Sequence, residues 1–231
     1  MSCFAIFDVD HTLLDGSTGK ELAVMCVRRK LVPVSVLWKS LVLYFRYRIG
    51  LLPQSVLQTG IYTLRGVPLQ ALRQVAEEIF DSHIKPKLYL RALEFIRKER
   101  RAGRTVLLAT SAPEFIVQPL ADCLDIEYLL ATKFEVEDGV LTGRFEGEPV
   151  FGRGKEQRVL EFMQSQNANL DCSSFYSDSC FDLPLLERVR EPHVINPDLK
   201  LRRTARKRGW PVYRLRNVAG NRDIHGLQNE C

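Results

Sequence analysis

The stretch that decides the fold is FAIFDVDHT, residues 4–12. It begins with four uninterrupted apolar side chains, a pattern typical of a central strand. Two carboxylates follow, and because residues i and i+2 of a strand share a face, Asp8 and Asp10 can point into one pocket. Two anions at that spacing raise each other's pKa unless a cation lies between them. Mg²⁺ suits such a pair, whereas two solvated carboxylates in a turn are the simpler alternative.

Three later features also place polar side chains where an apolar stretch ends or a helix begins. They are a pair of hydroxyls after an apolar strand, a lysine at a predicted helix start, and two carboxylates four residues apart after a third apolar strand: Thr110 and Ser111, Lys155, and Asp178 and Asp182. Singly, the hydroxyls fit a turn, the lysine fits a solvated helix, and the last carboxylate fits a helix cap. Together they favour one pocket, because ligands of open α/β sheets bind at the carboxyl ends of the strands.

The order and spacing of these features resemble the motifs of the haloacid dehalogenase-like (HAD) hydrolases and fit their subfamily IB, which includes phosphoserine phosphatases. The resemblance covers about residues 4–215. It implies an α/β fold with a Rossmann-like, doubly wound parallel sheet, a helical C1 cap inserted after the first strand, and a small β-hairpin. The residues agree, because apolar strands alternate with helical stretches, as in parallel sheets with helices on both faces. An Asp-Gly pair within residues 133–145 predicts the hairpin.

The predicted domains follow from this arrangement. The HAD-like core comprises residues 1–15 and 86–215, and the helical cap comprises residues 16–85. Residues 216–231 are polar and are expected to form a flexible tail.

Two predicted helix starts lie near the limits of the cap. A hydroxyl of Ser17 or Thr18 can cap the first helix, with Glu21 close to the third position. Pro86 suits the first turn of the second helix, which is expected to end near Gly103.

The resemblance also implies a reaction, the hydrolysis of a small phosphomonoester. An aspartate can attack a phosphoryl group and hold it as an aspartyl-phosphate, and the resemblance assigns this nucleophile to Asp8. It assigns to Asp10 two roles: the general acid that protonates the leaving alcohol, and then the general base that activates water. Thr110, the Ser111 amide and Lys155 are expected to bind the phosphate oxygens that are not transferred.

The cofactor implied by the resemblance is Mg²⁺. Its expected ligands are Asp8, the main-chain carbonyl of Asp10 and Asp178, with Asp182 supporting the ion directly or through a neighbour. The cation would let the nucleophile approach an anionic phosphate. The same residues would support phosphotransfer to an acceptor other than water, whereas a non-enzymatic binding protein has no need of a general acid.

The sequence leaves the substrate open. Phosphoserine phosphatases carry an acidic residue soon after the first motif, and a downstream arginine, that hold the amino acid. Here residues 15–18 are Asp-Gly-Ser-Thr, and Phe181 stands where a polar residue is common before Asp182. Phosphoserine is therefore disfavoured, and histidinol phosphate or a lipid phosphate at a membrane surface are alternatives.

The composition fits a single soluble globular enzyme. The 231 residues are 45% hydrophobic and 26% charged, and the net charge of +5 suits anionic substrates. The six cysteines include no CxxC pair, and Cys3 and Cys123 lie in apolar runs where free thiols act as small hydrophobes. Since the first strand starts almost at once, no signal peptide is expected, and a reducing cytoplasm is the predicted location.

Two segments bear on macromolecular partners. Residues 31–52 are strongly apolar but carry Lys39, Arg46 and Arg48, which favours an amphipathic cap helix over a membrane span. Such a helix can contact a membrane or a lipid tail, although packing within the cap is the simpler explanation. Residues 200–208 carry six Lys or Arg, and a solvated basic helix without a nucleic-acid partner is expected there.

Overall fold

The apolar run Phe4–Phe7 forms the central strand that its side chains predict. The computed structural model describes residues 2–38, 42 and 60–219. The strands among them are β1 (Phe4–Phe7), β2 (Thr105–Pro113), β3 (Tyr128–Thr132), β4 (Phe134–Glu137), β5 (Val140–Phe145), β6 (Ser174–Ser177), β7 (Glu191–Ile195) and β8 (Val212–Tyr213). Six of these strands form one sheet in the order β3-β2-β1-β6-β7-β8, and β4 pairs with β5 in a separate hairpin.

Neighbouring strands of the large sheet pair in parallel, so their carboxyl ends lie along one edge. Phe7, the last residue of β1, is opposite Leu108 of β2 and Tyr176 of β6. Asp8 follows directly, and its amide donates to the carbonyl oxygen of Tyr176 at 3.0 Å. The residues after β1 and β6 therefore meet at the same edge of the sheet.

Helices cover both faces of the sheet, which confirms the doubly wound arrangement. Among the described residues, the α-helices with defined bounds are α1 (Thr18–Arg28), α2 (Leu69–Ile79), α3 (Leu90–Arg101), α4 (Glu114–Cys123), α5 (Arg153–Ser165), α6 (Leu183–Leu186) and α7 (Leu199–Arg208). On β1, Ala5 and Phe7 are buried in an apolar cluster with side chains of α1 to α4. Phe4 and Ile6 point the other way, into a second cluster with side chains of α5 to α7. This alternation is the period of a strand that is buried on both faces.

The predicted hairpin is confirmed in β4 and β5, which pair antiparallel. Asp138 and Gly139 connect them with φ values of 51° and 78°. Both central residues of a tight hairpin turn need a positive φ, which glycine adopts without steric cost. The Leu141 amide donates to the Val67 carbonyl at 3.0 Å, so the hairpin lies against the segment that precedes α2.

The boundary between cap and core stays a prediction. Most of the apolar segment 31–52 lies outside the described residues, which omit 39–41 and 43–59. No helix in the described part of the chain combines the length and apolar character needed to cross a bilayer.

The start of the predicted tail differs from the expectation. The Leu90 amide donates to the Asn217 carbonyl at 3.0 Å, and the Ala219 amide donates to the Leu88 carbonyl at 2.6 Å. Residues 216–219 are therefore hydrogen-bonded to the backbone around the start of α3, where their own backbone groups find partners. The tail beyond Ala219 lies outside the described residues.

A disulfide joins Cys3 to Cys172, with the two Cα atoms 5.4 Å apart. The expectation that Cys3 is a free thiol is therefore wrong. The cysteines are 169 residues apart in sequence, but they precede β1 and β6, which are neighbours in the sheet. The cysteine pattern thus no longer supports a reducing compartment, and cytoplasmic location stays a prediction.

A polar cluster lies toward the amino ends of the strands of the large sheet. Glu99 accepts hydrogen bonds from the Tyr176 hydroxyl at 2.5 Å and from Arg104 at 2.7 Å, and Arg104 also pairs with Glu191. The His193 ring stacks on Tyr176 with the ring centroids 4.4 Å apart. Burial lowers the pKa of His193, against the raising effect of the two glutamates. Because the guanidinium already neutralises both carboxylates, the cluster is an ion-pair network that joins α3, β6 and β7.

Candidate active site

The centre of the site is a buried lysine between two carboxylates. Lys155 Nζ lies 2.8 Å from Asp8 Oδ1 and 2.8 Å from Asp182 Oδ2. All three side chains are buried, and the lysine is 3% exposed. The second oxygen of Asp8 accepts a hydrogen bond from the Thr12 hydroxyl at 3.2 Å. Three predicted site residues are thus in direct contact, together with Thr12, for which the sequence predicted no role.

Lys155 is positioned by a close backbone approach at the start of α5. A Cβ atom at Gly154 would lie 2.4 Å from the carbonyl oxygen of Pro149, a separation that real Cβ atoms essentially never show. Glycine at this position lets α5 begin against that carbonyl, with the next side chain directed at the sheet edge. The sequence predicts a helix start here, but this close approach becomes visible only in the structure.

Asp178 lies directly after β6 and is fully buried. Its carbonyl oxygen accepts from the Asp198 amide at 3.0 Å, and the Asp198 carboxylate accepts from the Cys180 amide at 2.7 Å. The hydroxyl of Ser177 donates to Asp182 Oδ2 at 2.6 Å. These hydrogen bonds fix the loop after β6 and orient the Asp182 carboxylate. The signal for Ser177 in the sequence is a polar residue at the end of a buried strand.

Asp10 contacts the start of α1. Its Oδ1 accepts from the Thr18 amide at 2.9 Å, and its Oδ2 accepts from the hydroxyls of Ser17 at 3.1 Å and Thr18 at 3.2 Å. The capping group is therefore the carboxylate of Asp10, whereas the predicted hydroxyl cap is wrong, since Ser17 caps no amide with its side chain. Burial raises the pKa of Asp10, and the three hydrogen bonds oppose this. A raised pKa favours the proton-bearing form of the side chain.

Thr110 and Ser111 lie within the second half of β2, the strand beside β1. Thr110 is buried, and its hydroxyl oxygen accepts from the Ala112 amide at 3.2 Å, whereas Ser111 is exposed. The pairing of β2 with β3 shifts register between Ala109 and Pro113, so this stretch forms an irregularity in the strand. Both residues lie at the predicted edge of the sheet, and their role in the site stays a prediction.

The charge balance of the site fits a cation. Asp8, Asp178 and Asp182 are buried and follow β1 and its neighbour β6, and Lys155 is the only buried Lys or Arg in the described part of the chain. Burial raises the pKa of Asp8 to about 7, against the lowering effect of the ammonium group. The carboxylates in turn outweigh burial and raise the pKa of Lys155. A set of carboxylate and carbonyl oxygens with excess negative charge fits a hard divalent cation such as Mg²⁺.

The segments before α1 and α3 run side by side next to the site. The Asp15 amide donates to the Lys87 carbonyl and the Tyr89 amide donates to the Leu13 carbonyl, each at 2.8 Å. The Tyr89 hydroxyl donates to Asp15 Oδ1 at 3.0 Å, and Lys87 Nζ lies 2.8 Å from Glu21 Oε1. The acidic side chains that follow the first motif are therefore already held by partners of this chain.

Fold and site together define a Rossmann-like protein with a lysine and several carboxylates at the carboxyl edge of a parallel sheet. The chain belongs to the haloacid dehalogenase-like hydrolase family, whose sequence model matches residues 5–187. The family predicted from the motifs is therefore confirmed.

Individual relatives agree with this assignment. Histidinol-phosphatase from Neisseria meningitidis is 29% identical over 218 residues, which cover 92% of this chain and 98% of that protein. Phosphoserine phosphatase SerB1 from Mycobacterium tuberculosis is 32% identical over 230 residues, covering 92% of this chain and 70% of that protein. A solved protein of unknown function from Bordetella pertussis is 33% identical with a TM-score of 0.81, covering 92% of this chain and 98% of that one. The chain spans only about half the length of other relatives, such as 53% of a Streptomyces azureus protein named for inhibition of morphological differentiation.

Proposed function

We propose that this protein is a phosphatase that hydrolyses a small phosphomonoester, with Mg²⁺, through an aspartyl-phosphate on Asp8. The observation that carries the proposal is the Lys155 ammonium group, 2.8 Å from Asp8 and from Asp182. A fixed positive charge beside a carboxylate offsets the repulsion that an approaching phosphate would meet. The name of the Neisseria relative, a histidinol-phosphatase, agrees with this reaction class.

In the first step, the Asp8 carboxylate attacks phosphorus, and the bond between phosphorus and the leaving alcohol oxygen breaks. Asp10 in its acid form gives its proton to that oxygen, so the product leaves as a neutral alcohol. The raised pKa of Asp10 supports this role, because the acid form must be present before transfer. Thr110, Ser111 and Lys155 are assigned to the phosphate oxygens that are not transferred.

In the second step, a water oxygen attacks the phosphorus atom of the aspartyl-phosphate. Asp10, now a carboxylate, takes one proton from that water as the bond between phosphorus and Asp8 breaks. Inorganic phosphate leaves, and both aspartates return to their starting forms. The Thr12 hydroxyl, 3.2 Å from Asp8 Oδ2, orients the nucleophile in both steps.

The residues that would hold Mg²⁺ are Asp8, the carbonyl group of Asp10, Asp178 and Asp182. When bound, the ion would offset the negative charge of the phosphate and of these carboxylates. Asp182 has a second task, since it also pairs with the lysine and accepts from Ser177.

The surroundings of the site argue against selection of a substrate by its amino group. Glu21 pairs with Lys87, and Asp15 accepts from Tyr89, so both carboxylates have partners. An ammonium group would have to displace one of these partners. We therefore expect phosphoserine to be a poor substrate.

The test is phosphate release from a panel of phosphomonoesters, with Mg²⁺ or with EDTA. The panel contains phosphoserine, histidinol phosphate, sugar phosphates, nucleotides and a lysophospholipid phosphate. Asp8→Asn should lower kcat by more than about 10⁴-fold, as for the loss of a nucleophile, and Asp10→Asn by about 10²–10⁴-fold, as for the loss of a general acid. Asp171→Asn, an exposed aspartate before β6, is the matched control and should leave kcat unchanged.

Mass spectrometry of acid-quenched reactions checks the intermediate. The native protein should gain one phosphoryl group, and Asp8→Asn should gain none. With p-nitrophenyl phosphate, whose leaving group needs no proton, Asp10→Asn should accumulate the phosphorylated form because only its hydrolysis is slowed. Turnover in EDTA, or turnover that survives Asp8→Asn, would contradict the proposal. Phosphoryl transfer to added alcohols in place of water would instead identify a phosphotransferase.

A further inference from the structure

The charge of the protein is distributed very unevenly along the chain. Residues 22–76 contain eight Lys or Arg and no Asp or Glu. The rest of the chain has more acidic than basic residues, so this segment accounts for the whole positive net charge. Its described members include Arg28 and Lys30, both exposed at the end of α1. A one-sign segment of this length attracts a polyanionic surface.

The same segment exposes three large apolar side chains to solvent. Val34, Trp38 and Val42 recur every four residues and are 62%, 71% and 57% exposed. Val32 and Val36 are buried, with 6% and 7% exposure. Packing in the apolar cluster that also contains Ala5 and Phe7 therefore accounts for the two buried valines and leaves the exposed side chains, including the tryptophan, unexplained.

We propose that the exposed side chains of Val34, Trp38 and Val42, with Arg28 and Lys30 of the same segment, form an outer cap face that docks on an anionic lipid bilayer. Tryptophan favours the membrane interface, where its ring enters the apolar layer and its N–H stays hydrated. Basic residues of the same segment are attracted to anionic headgroups, as in helices that lie in the plane of the interface. The exposed Val34 and Val42 add apolar surface that an aqueous polyanion would not use.

A second copy of the chain is disfavoured as the occupant of this face. Self-association would bring two cationic segments together, and like charges at an interface oppose binding. Helix α7 is the other basic surface, but it exposes only Leu199 among its large apolar side chains, since Leu201 and Ala205 are buried against the sheet. Lipid binding through α7 is therefore an alternative that the variants below separate from the proposal.

The experiment is sedimentation of the protein with vesicles of phosphatidylcholine alone or mixed with phosphatidylglycerol, at low and high salt. The native protein should bind the vesicles that contain phosphatidylglycerol at low salt and bind them more weakly at high salt. It should not bind vesicles of phosphatidylcholine alone. Trp38 and Trp210 are the two tryptophans, so Trp210→Phe leaves Trp38 as the only reporter. Its emission should shift to shorter wavelength with anionic vesicles and be quenched by lipids labelled in the acyl chain. The assay contains no substrate, so its outcome is independent of the proposed hydrolysis.

Two variants on the outer cap face should weaken binding. Trp38→Ser should lower the affinity for anionic vesicles at least about tenfold, from the loss of one buried apolar side chain. The pair Arg28→Gln and Lys30→Gln should lower it about thirtyfold and flatten the salt dependence. Both changes are at exposed positions, and thermal unfolding should confirm an intact fold.

Matched variants on α7 should bind like the native protein. Leu199→Ser removes an apolar side chain that is 60% exposed, and the pair Arg206→Gln and Lys207→Gln removes two exposed charges. The proposal is overturned if the native protein does not bind anionic vesicles, or if the α7 variants lose binding while Trp38→Ser keeps it. Dimerisation that Trp38→Ser abolishes would overturn it as well, since the face would then be a contact between copies.

Discussion

Replacing Lys155 by methionine is the most direct perturbation of the site. Methionine keeps most of the length of the side chain and removes only the ammonium group. That group is buried and lies 2.8 Å from an oxygen of each of two buried carboxylates, Asp8 and Asp182. The variant leaves both carboxylates without their shared cation, in surroundings from which water is largely excluded.

The magnitude follows from the cost of breaking a buried ion pair. Removing one partner costs about 3–5 kcal/mol, because the remaining charge has neither its partner nor water. Here one ammonium group serves two carboxylates, so we expect the free energy of unfolding to fall by about 4–5 kcal/mol at pH 8 without Mg²⁺. The loss should be smaller at pH 5.5, because the pKa of Asp8, already about 7 in the native protein, rises further in the variant and the side chain takes up a proton. Mg²⁺ should restore part of the stability at pH 8, since an ion that binds only the folded state stabilises it.

The assay is urea unfolding followed by circular dichroism, at both pH values, with EDTA or Mg²⁺. Lys207→Met, at an exposed position of α7, is the control and should change the free energy of unfolding by no more than about 0.5 kcal/mol. A loss below about 1 kcal/mol for Lys155→Met, or a loss of equal size at both pH values, would refute the view that this ammonium neutralises the carboxylates.

Three further predictions concern the rest of the fold. Gly154→Ala should lower the free energy of unfolding by about 2–3 kcal/mol, because its Cβ would lie 2.4 Å from a main-chain carbonyl oxygen. Gly19→Ala, inside α1, should leave the free energy of unfolding unchanged or raise it. Denaturant titration of both variants measures these changes. Reducing the bond between Cys3 and Cys172 should lower the free energy of unfolding by about 2–5 kcal/mol, measured with and without a thiol reductant, and equal stability in both conditions would contradict the disulfide. Because the pKa of His193 is lowered by burial, the unfolded chain binds more protons below pH 6.5, so stability should fall as the pH drops below that value. His193→Gln should show a flatter pH profile between pH 6.5 and 5, and an unchanged profile would contradict this assignment.

The sheet and the edge that carries the site could be predicted because their signals are local. The four apolar residues of β1 fix a buried strand, and the carboxylates after it need no knowledge of the rest of the chain. The same holds for Asp178 after β6 and for the Asp-Gly turn of the hairpin. Each of these predictions depends on a few consecutive side chains and on the fact that parallel strands end at one edge.

The features that could not be predicted depend on contacts between distant segments. The disulfide joins cysteines whose proximity follows from strand order, which no spacing in the sequence reveals. The helix expected from Pro86 begins instead at Leu90, after a short turn at Lys85–Lys87. The amide of Tyr89 is used in a hydrogen bond to the carbonyl of Leu13, so the backbone there is extended and the helix starts later. Helix propensity is a weak preference that such tertiary hydrogen bonds override.

Asp10 shows why the wrong capping prediction matters for function. A carboxylate at a helix N-terminus is stabilised by the free amide groups and by the helix dipole, which favour its charged form. Burial acts in the opposite direction and prevails, so the pKa of Asp10 is raised. The proposed general acid therefore holds the first turn of α1 through the Thr18 amide, and the strength of that contact depends on the charge of Asp10. It follows that proton transfer in the proposed reaction and the attachment of α1 to the site are coupled, since the carboxylate binds this amide more strongly than the acid form does.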